Sequence, residues 1–245
     1  AIFKVDLAKK FLNVNTNIQT IQSLKSVRPI VATTVYDSVM AQLADQSGID
    51  LLLVGDSVGT TILGFETTIN VTLEMMLHHT SAVSRVQTKA LIVSDLPYGY
   101  SHDAFEHIFE ACRKLIQAGA SAVKIEGGSS IAPTIKRLVD SGIPVLGHIG
   151  LLPQQIKNLG KYRKFGKTEA EAKALMQDAT ALEDAGCFAL IGEMISETVA
   201  KEISEMVKIP LIGIGSGVHC DGQILVTNDL LGLTTKAVPS FFHSF

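Results

Sequence analysis

Short apolar runs rich in Val, Ile and Leu recur along the chain, and each is followed by polar or glycine-rich residues and then by a helical pattern. Continuous apolar runs of this length are typical of strands that are covered on both faces, as in a parallel sheet. The pattern predicts strands at residues 29–34, 49–54, 90–94, 121–125, 143–147, 188–191 and 209–214, with a weaker eighth at 223–227.

Amphipathic stretches lie between these runs, and those at residues 104–117 and 169–185 each end in Ala-Gly, as when glycine closes a helix. Strands that alternate with helices predict either a closed α/β barrel or an open doubly wound sheet. Eight strands favour closure, so we predict a (β/α)8 TIM barrel formed by residues 1–245 as a single domain. The segment up to about Ser26 has weak strand signals and is predicted to be a short N-terminal helical extension.

Acidic residues stand where three consecutive predicted strands end: Asp56, Asp95 and Glu126. The functional ends of barrel strands meet on one face, so we expect these carboxylates to lie close together. Oxygen ligands with open positions for water suit Mg²⁺. Each acid taken alone is explained equally well as a helix cap or as the partner of a surface lysine. The three together favour a metal site, because burying so much negative charge without a cation is very costly.

Further polar side chains follow the strands on the same predicted rim. Lys124 lies two residues before Glu126, so the two side chains share a face, and it either neutralises the acids or binds a substrate carboxylate or oxyanion. Glu193 ends the sixth run and is predicted to be the general base, with capping of the next helix as the alternative. His148 is predicted to polarise a substrate carbonyl or to hydrogen-bond an acid, although a structural role fits equally.

Two small-residue motifs carry weaker signals. Ser57 has no neighbouring base in the sequence and no GxSxG setting, so we interpret it as a hydrogen-bonding group rather than a nucleophile. Residues 213–217, GIGSG, follow the seventh run, where barrels often bind phosphate. A tight turn that clears room for a ligand explains this glycine pattern at least as well.

Composition excludes several classes of protein. The net charge is −3 and the basic residues are scattered, which argues against nucleic-acid binding. The three cysteines form no CxxC pair, so we expect a reducing, cytoplasmic location. No apolar run reaches the roughly 18 residues that suggest a membrane span. We also expect no signal peptide, because charged residues interrupt the first apolar stretches: Lys4, Asp6, Lys9 and Lys10.

The rim motifs, taken together, resemble the ketopantoate hydroxymethyltransferase family. Any one motif is weak, but the set runs in family order over nearly the whole chain, from about Arg28 to Pro239. The matching segments are TVYD at 34–37, LVGDS at 53–57, SDLP at 94–97, VKIEGG at 123–128, PVLGHIGL at 144–151, IGIGSG at 212–217 and CDGQILV at 220–226. The chain departs from the family around the predicted base, where GEMIS at 192–196 replaces a more usual LECVP.

The resemblance implies a TIM barrel that acts in pantothenate and coenzyme A biosynthesis and assembles as a homo-oligomer, usually a decamer. It implies transfer of a hydroxymethyl group from 5,10-methylenetetrahydrofolate to 3-methyl-2-oxobutanoate with the help of Mg²⁺. The residue roles that it implies are metal ligation by Asp56, Asp95 and Glu126, substrate contact by Asp56, Ser57, Asp95, Lys124, His148 and Tyr36, and proton abstraction by Glu193.

Two other functions remain open from the residues. The first is a Mg²⁺-dependent carbon–carbon lyase of the phosphoenolpyruvate-type barrels, which would need no folate. The second is a non-catalytic barrel that binds a 2-oxo acid, which would not exchange a substrate proton with solvent.

Overall fold

A computed structural model of the protein describes residues 16–234, and its centre is a closed barrel of eight parallel strands. Each strand pairs with the next along the chain, and the last pairs with the first, so the TIM barrel is confirmed and the open sheet is excluded. The strands are β1 (Ile30–Thr34), β2 (Leu51–Val54), β3 (Leu91–Asp95), β4 (Ala122–Glu126), β5 (Val145–Gly150), β6 (Ala189–Glu193), β7 (Leu211–Ile214) and β8 (Gly222–Leu225).

The helices lie mainly on the outside of the barrel, between successive strands. They are α1 (Ile18–Ser23), α2 (Ser38–Gln46), α3 (Val58–Thr61), α4 (Leu73–Ser84), α5 (Phe105–Gln117), α6 (Ala132–Asp140), α7 (Ile156–Leu159), α8 (Glu169–Asp184), α9 (Glu197–Met206) and α10 (Thr227–Leu230). The amphipathic stretches at 104–117 and 169–185 correspond to α5 and α8, so both helix predictions are confirmed to within a residue at either end.

The link between β7 and β8 departs from the regular alternation, since residues 215–221, all of them described, contain no helix. Gly215 and Gly217 take positive φ values of 65° and 90° there, which turns the chain back within a few residues. β8 pairs with β1 to close the barrel, and its first residue must be glycine because a Cβ on Gly222 would lie 2.4 Å from the carbonyl oxygen of Ile30.

The buried apolar side chains form two clusters, one between the strands and the outer helices and one inside the barrel. The inner cluster includes Ile21 of α1 with Ile30, Leu51 and Leu91, so α1 closes the amino end of the barrel. This helix is the described part of the predicted N-terminal extension; residues 1–15 of that prediction lie outside the described residues. None of the helices in residues 16–234 is long and apolar enough to cross a membrane.

Candidate active site

The carboxyl ends of the strands surround a cavity of about 250 Å³ that holds nearly all of the side chains predicted from the sequence. Alternation along a strand directs every second side chain into the barrel, and the rim residues of β2 to β6 use this geometry. The cavity is lined by Asp56, Ser57, Asp95, Lys124, Glu126, His148 and Glu193. Tyr36 does not line it, but its hydroxyl is 2.8 Å from Ser57 Oγ, so it supports the wall from behind.

Three buried carboxylates and one ammonium group form the polar side of the cavity. Asp95 Oδ2 accepts a hydrogen bond from the backbone N–H of Asp56 at 2.9 Å, and Asp95 Oδ1 lies 2.8 Å from Lys124 Nζ. The same ammonium group is 3.8 Å from Glu126 Oε1. Each of these side chains is at most 5% exposed. The predicted convergence of Asp56, Asp95, Lys124 and Glu126 is therefore observed.

The charges in this cluster shift one another's protonation. Burial, together with the negative charges of Asp95 and Glu126, raises the pKa of Asp56 well above its usual range. Burial opposes the charge on Lys124, but the neighbouring carboxylates Asp95, Glu126 and Asp56 outweigh it and raise the lysine's pKa. Lys124 is therefore a permanent cation at neutral pH, which argues against a Schiff-base role and for the binding of an anion.

Gln154 ties this cluster to the loop after β5 and was not singled out from the sequence. Its side-chain amide donates hydrogen bonds to Asp56 Oδ2 at 2.8 Å and to the carbonyl oxygen of Leu96 at 3.0 Å. Its backbone N–H donates to Glu126 Oε2 at 3.1 Å. One buried residue thus fixes two of the three carboxylates. The only sequence signal was its place shortly after the fifth strand, in the pair Gln154-Gln155.

His148 lies between two carboxylates of the cavity wall, Glu126 of the cluster and Glu193. Its Nδ1 is 3.6 Å from Glu126 Oε1, and its Nε2 is 3.3 Å from Glu193 Oε2. Burial would lower the pKa of His148, but the adjacent carboxylates of Glu126 and Glu193 outweigh burial and raise the pKa to about 9. The same imidazolium and Lys124 overcome burial at Glu126 and hold its pKa below its usual range. His148 is therefore a second cation of the site, adjacent to the predicted base.

The backbone around Glu193 is held on several sides. The carbonyl oxygen of Glu193 accepts from the N–H of Leu151 at 2.8 Å, and a Cβ on Gly150 would lie 2.2 Å from that oxygen. Met194 follows with a φ of 52°, a left-handed conformation that is strained for a side chain of this kind. This strained residue sits where the chain departs from the family pattern. The Glu193 side chain is 19% exposed, so it faces the cavity rather than the core.

The glycine-rich segment 213–217 supports the backbone around Glu193 instead of presenting a free anion site. The Ser216 hydroxyl is buried, donates to the carbonyl oxygen of Gly192 at 2.7 Å and accepts from the N–H of Ile195 at 3.0 Å. Through these bonds the segment after β7 holds the backbone on both sides of Glu193, at Gly192 and at Ile195. Of the two interpretations given for this motif, the tight turn agrees with the geometry.

The rest of the cavity wall is largely apolar and was not predicted. It includes Leu53, Leu151, Ile191, Ile214 and Ile224, which suit a small branched aliphatic group. Thr68 also lines the cavity, and its hydroxyl is buried without a hydrogen-bond partner among the described residues. A ligand with one polar and one aliphatic end matches these two sides.

The donor set fits a hard divalent cation in its chemistry. Asp95 Oδ1 and Glu126 Oε1 have no well-formed hydrogen bond in the described part of the chain. Because the three carboxylates are adjacent and buried, ionising the second and third of them costs more free energy than ionising the first, unless a cation is bound. Within residues 16–234, no three His, Cys, Asp or Glu side chains are arranged closely enough to hold an ion by themselves. Mg²⁺ commonly uses only one or two protein carboxylates, with water and substrate oxygens completing its shell.

Comparisons with known proteins identify the family to which the chain is similar. The model of the family described as ketopantoate hydroxymethyltransferase matches residues 15–245. A 3-methyl-2-oxobutanoate hydroxymethyltransferase from Pseudothermotoga lettingae is 48% identical over 226 residues, which cover 92% of this chain and 85% of that protein. A protein of the same name from Picosynechococcus sp. is 50% identical over 224 residues, covering 90% and 85%.

Similar solved structures share the fold at much lower identity. Phosphonopyruvate hydrolase in complex with oxalate and Mg²⁺ superimposes with a TM-score of 0.66 at 13% identity, covering 86% of this chain and 80% of that one. A 2,3-dimethylmalate lyase of the PEP mutase/isocitrate lyase superfamily gives a TM-score of 0.63 at 16% identity, covering 89% and 83%. Identities this low show a common barrel and nothing about the reaction.

Proposed function

Because the chain belongs to the ketopantoate hydroxymethyltransferase family, we propose that it transfers a hydroxymethyl group from 5,10-methylenetetrahydrofolate to 3-methyl-2-oxobutanoate, giving 2-dehydropantoate for pantothenate biosynthesis. One observation carries the proposal: Glu193 and the cluster of Asp56, Asp95 and Lys124 line the same small cavity, with apolar walls between them. A base and an oxyanion-stabilising group that line one cavity are what enolisation of a 2-oxo acid requires.

The substrate matches the two sides of the cavity. Its carboxylate and keto oxygens lie towards the Lys124 ammonium group and the hydroxyl of Ser57, which Tyr36 orients through a 2.8 Å hydrogen bond. Its isopropyl group packs against apolar walls such as Leu53 and Ile191. This orientation turns the tertiary C–H at C3 towards Glu193.

A divalent cation held by Asp56 and Asp95, with Glu126 as the third acid, supplies Lewis-acid chemistry when bound, because it withdraws charge from the keto group. Gln154 keeps Asp56 and Glu126 in place through its 2.8 Å and 3.1 Å hydrogen bonds. Lys124 contributes a fixed positive charge where negative charge develops on the keto oxygen.

Glu193 removes the C3 proton, and His148, 3.3 Å from its carboxylate, stabilises the charged base before the transfer. A new carbon–carbon bond then joins C3 to the one-carbon unit, and both bonds from that carbon to folate nitrogens break. Water supplies the hydroxyl oxygen. The C3 proton and the second water proton end on the two nitrogens of tetrahydrofolate, so atoms and charge balance.

The lyase alternative is not favoured by the comparisons. The relatives at 48% and 50% identity carry the transferase name, whereas the lyase and hydrolase structures share only the fold, at 16% and 13% identity. The non-catalytic alternative leaves Glu193, His148 and the strained Met194 without a purpose. We also propose a cytoplasmic homo-oligomer, a decamer by family resemblance, and light scattering after size-exclusion chromatography tests that state.

Exchange of the C3 proton with deuterated water tests the role of Glu193. Glu193→Gln keeps the size of the side chain but removes the base, so we expect exchange, followed by proton NMR, to fall about 10²- to 10⁴-fold. Glu202→Gln on the exposed face of α9 is the matched control and keeps the wild-type rate. Exchange at the wild-type rate in Glu193→Gln would remove Glu193 from the base role. Product formation with and without the folate donor tests the transferase itself.

A further inference from the structure

A second cavity of about 390 Å³ lies directly beside the candidate active site. The two cavities share Glu126, so ligands in them would lie on either side of this one side chain. Gln154 lines the second cavity, and its side-chain amide donates a hydrogen bond to Asp56, which lines the first. The remaining wall comes from two segments on the same rim. The loop after β3 contributes Tyr98, Ser101 and His102, and the segment after β5 contributes Gln155 and, from α7, Lys157 and Asn158.

The chemistry of this wall suits a flat, polar ring system. The Tyr98 ring is 49% exposed, which leaves an aromatic face open for stacking. The side chains of Ser101, His102, Gln155 and Asn158 make no hydrogen bond with the described residues, so their donors and acceptors are free for a ligand. An aromatic face beside free amide and hydroxyl groups is the usual combination for binding a heterocycle.

A basic segment borders both cavities. Residues 153–168 contain five cations and no acid, in a chain whose net charge is −3. Arg163 is bound to Glu171 at 2.7 Å and lies 3.9 Å from the centre of the Phe165 ring. The ammonium groups of the other four cations, by contrast, have no partner among the described residues. They belong to Lys157, Lys161, Lys164 and Lys167.

The position of this segment connects it to the chemistry. Lys157 lines the second cavity, whereas Tyr162 lines the first. The backbone N–H of Phe165 donates to the carbonyl oxygen of Met194 at 2.7 Å, next to the predicted base. Lys157 therefore lies at the second cavity, and the other unpaired lysines follow it within ten residues of the chain, where they add positive charge that attracts an anionic part of an incoming ligand.

We propose that the second cavity and the basic segment 153–168 form the binding site of the one-carbon donor. The reduced pterin and aryl rings occupy the cavity against Tyr98, and the carboxylate-bearing glutamate tail lies along Lys157 and Lys161. The inference rests on the proposed function. It is supported by size, because ligands as large as a folate need roughly 300–1,000 Å³ and the first cavity, at about 250 Å³, suits the 2-oxo acid.

Steady-state kinetics of the full chain, with each substrate varied in turn, tests the site. Tyr98→Ala removes the stacking face and should raise the KM for 5,10-methylenetetrahydrofolate about tenfold, because the contact between the two ring systems is lost. Tyr98→Phe keeps the ring and stays within about twofold of wild type. In both variants the KM for 3-methyl-2-oxobutanoate changes less than the KM for the donor.

Reversing the charge of single lysines tests whether the glutamate tail of the donor binds along the basic segment. Lys157→Glu and Lys161→Glu should each raise the donor KM about fivefold at low salt, and more for a donor with several glutamates than for one with a single glutamate. Lys208→Glu is the matched control, because this exposed lysine precedes β7 at the opposite end of the barrel. High salt should reduce the difference between these variants and wild type.

The outcomes separate the two proposals. If wild type forms no 2-dehydropantoate with any reduced folate, the proposed function is wrong. If wild type is active but Tyr98→Ala and both lysine reversals leave the donor KM unchanged, only the donor site is wrong. A donor KM that rises equally in Lys208→Glu would assign the effect to overall charge and would also overturn the site.

Discussion

Gln154 is the residue on which the arrangement of the carboxylates depends most directly. Gln154→Leu removes the amide that donates to Asp56 Oδ2 and Leu96 but keeps the backbone N–H that donates to Glu126. A buried acceptor left unsatisfied costs about 1–3 kcal/mol, so we expect the free energy of unfolding in urea to fall by that amount. Gln177→Leu on the exposed side of α8 should change it by less than about 0.5 kcal/mol. Equal effects of the two substitutions would contradict the assigned role.

The thiols give a pH-dependent prediction. Burial raises the pKa of Cys112 and of Cys187 to about 12, and burial with nearby Asp221 and Glu197 raises the pKa of Cys220 to about 11. An unfolded thiol has a pKa of about 8.5. The raised folded values mean that the thiols contribute stability below about pH 8.5, and that this contribution is lost as the pH rises towards 12.

Titration of the thiols with an aromatic disulfide at pH 8 checks that the three cysteines are buried and protonated in the folded protein. We expect Cys112 and Cys187 to be unreactive in the native protein, Cys220 to react slowly, and all three to react at once in urea. The free energy of unfolding should decline between pH 8.5 and 11, and less so in Cys187→Ala. Rapid labelling of Cys187 in the native state would show that it is not held in the core.

At the residue scale, the sequence predicted the charged members of the site and missed their supports. Asp56, Asp95 and Glu126 stand where apolar runs end, and the barrel geometry alone brings such positions together. Gln154 lies in a single 3-10 turn and Ser216 in an irregular segment, and both are too short for a periodicity that tells which side chain turns inwards. Their roles depend on distances between loops, which are not encoded in local pattern.

The junction of β5 and β6 is the element that sets the position of Glu193. Gly150 has a φ of 94°, and a Cβ there would lie 2.2 Å from the carbonyl oxygen of Glu193. Gly150→Ala should therefore destabilise the protein by about 1–3 kcal/mol beyond the cost of the left-handed backbone itself. Displacement of Glu193 by as little as about 1 Å should also reduce proton exchange roughly 10²-fold.

Gly142→Ala is the control for this prediction, because Gly142 has a similar φ of 85° but no atom within 4 Å of an added Cβ. It should show only the backbone cost of about 1–2 kcal/mol and normal proton exchange. Chemical denaturation and the exchange assay measure both effects on the same samples. Equal stability of the two variants would mean that the contact with Glu193 relaxes without cost.

At the element scale, the apolar runs predicted where the strands lie but not the residues at which each strand begins and ends. The run predicted at 143–147 became β5, Val145–Gly150, which starts after Pro144 and continues through His148. A proline lacks the N–H that a ladder needs, and a histidine at position 148 interrupts the apolar pattern that marks a strand. After β7 the regular alternation of strand and helix breaks, and the chain makes a tight glycine turn, which is one of the two interpretations of residues 213–217.

The whole barrel could be inferred because its strand number determines closure. Eight apolar runs alternating with helical segments leave few topologies, and sequential right-handed connections join the last strand to the first. The number of strands does not show which residues cover the amino end of the barrel. That closure depends on α1, whose weak pattern predicted a helix but no docking position.

Lys25 fastens α1 to the amino end of the barrel and gives the last prediction. Its ammonium group donates to the carbonyl oxygens of Ser204 and Ile209 and to Asp221 Oδ2, at 2.8 to 3.0 Å. The Lys25 and Asp221 side chains are only 15% and 10% exposed, so Lys25→Met leaves a buried carboxylate without its counterion, although Ser204 Oγ and the N–H of Leu211 still donate to it.

Breaking such a pair from one side costs about 3 kcal/mol, and each kcal/mol shifts the melting temperature of a chain of this size by about 2–4 °C. We therefore expect Lys25→Met to melt roughly 6–12 °C below wild type in calorimetry. Lys136→Met removes an exposed ion pair with Asp140 on α6 and should lower the melting temperature by no more than about 2 °C. Because the active-site rim is at the other end of the strands, Lys25→Met should keep its proton exchange below the transition. If the two variants melt together, α1 is not held by this network and the barrel floor is stabilised by apolar packing around Ile21 alone.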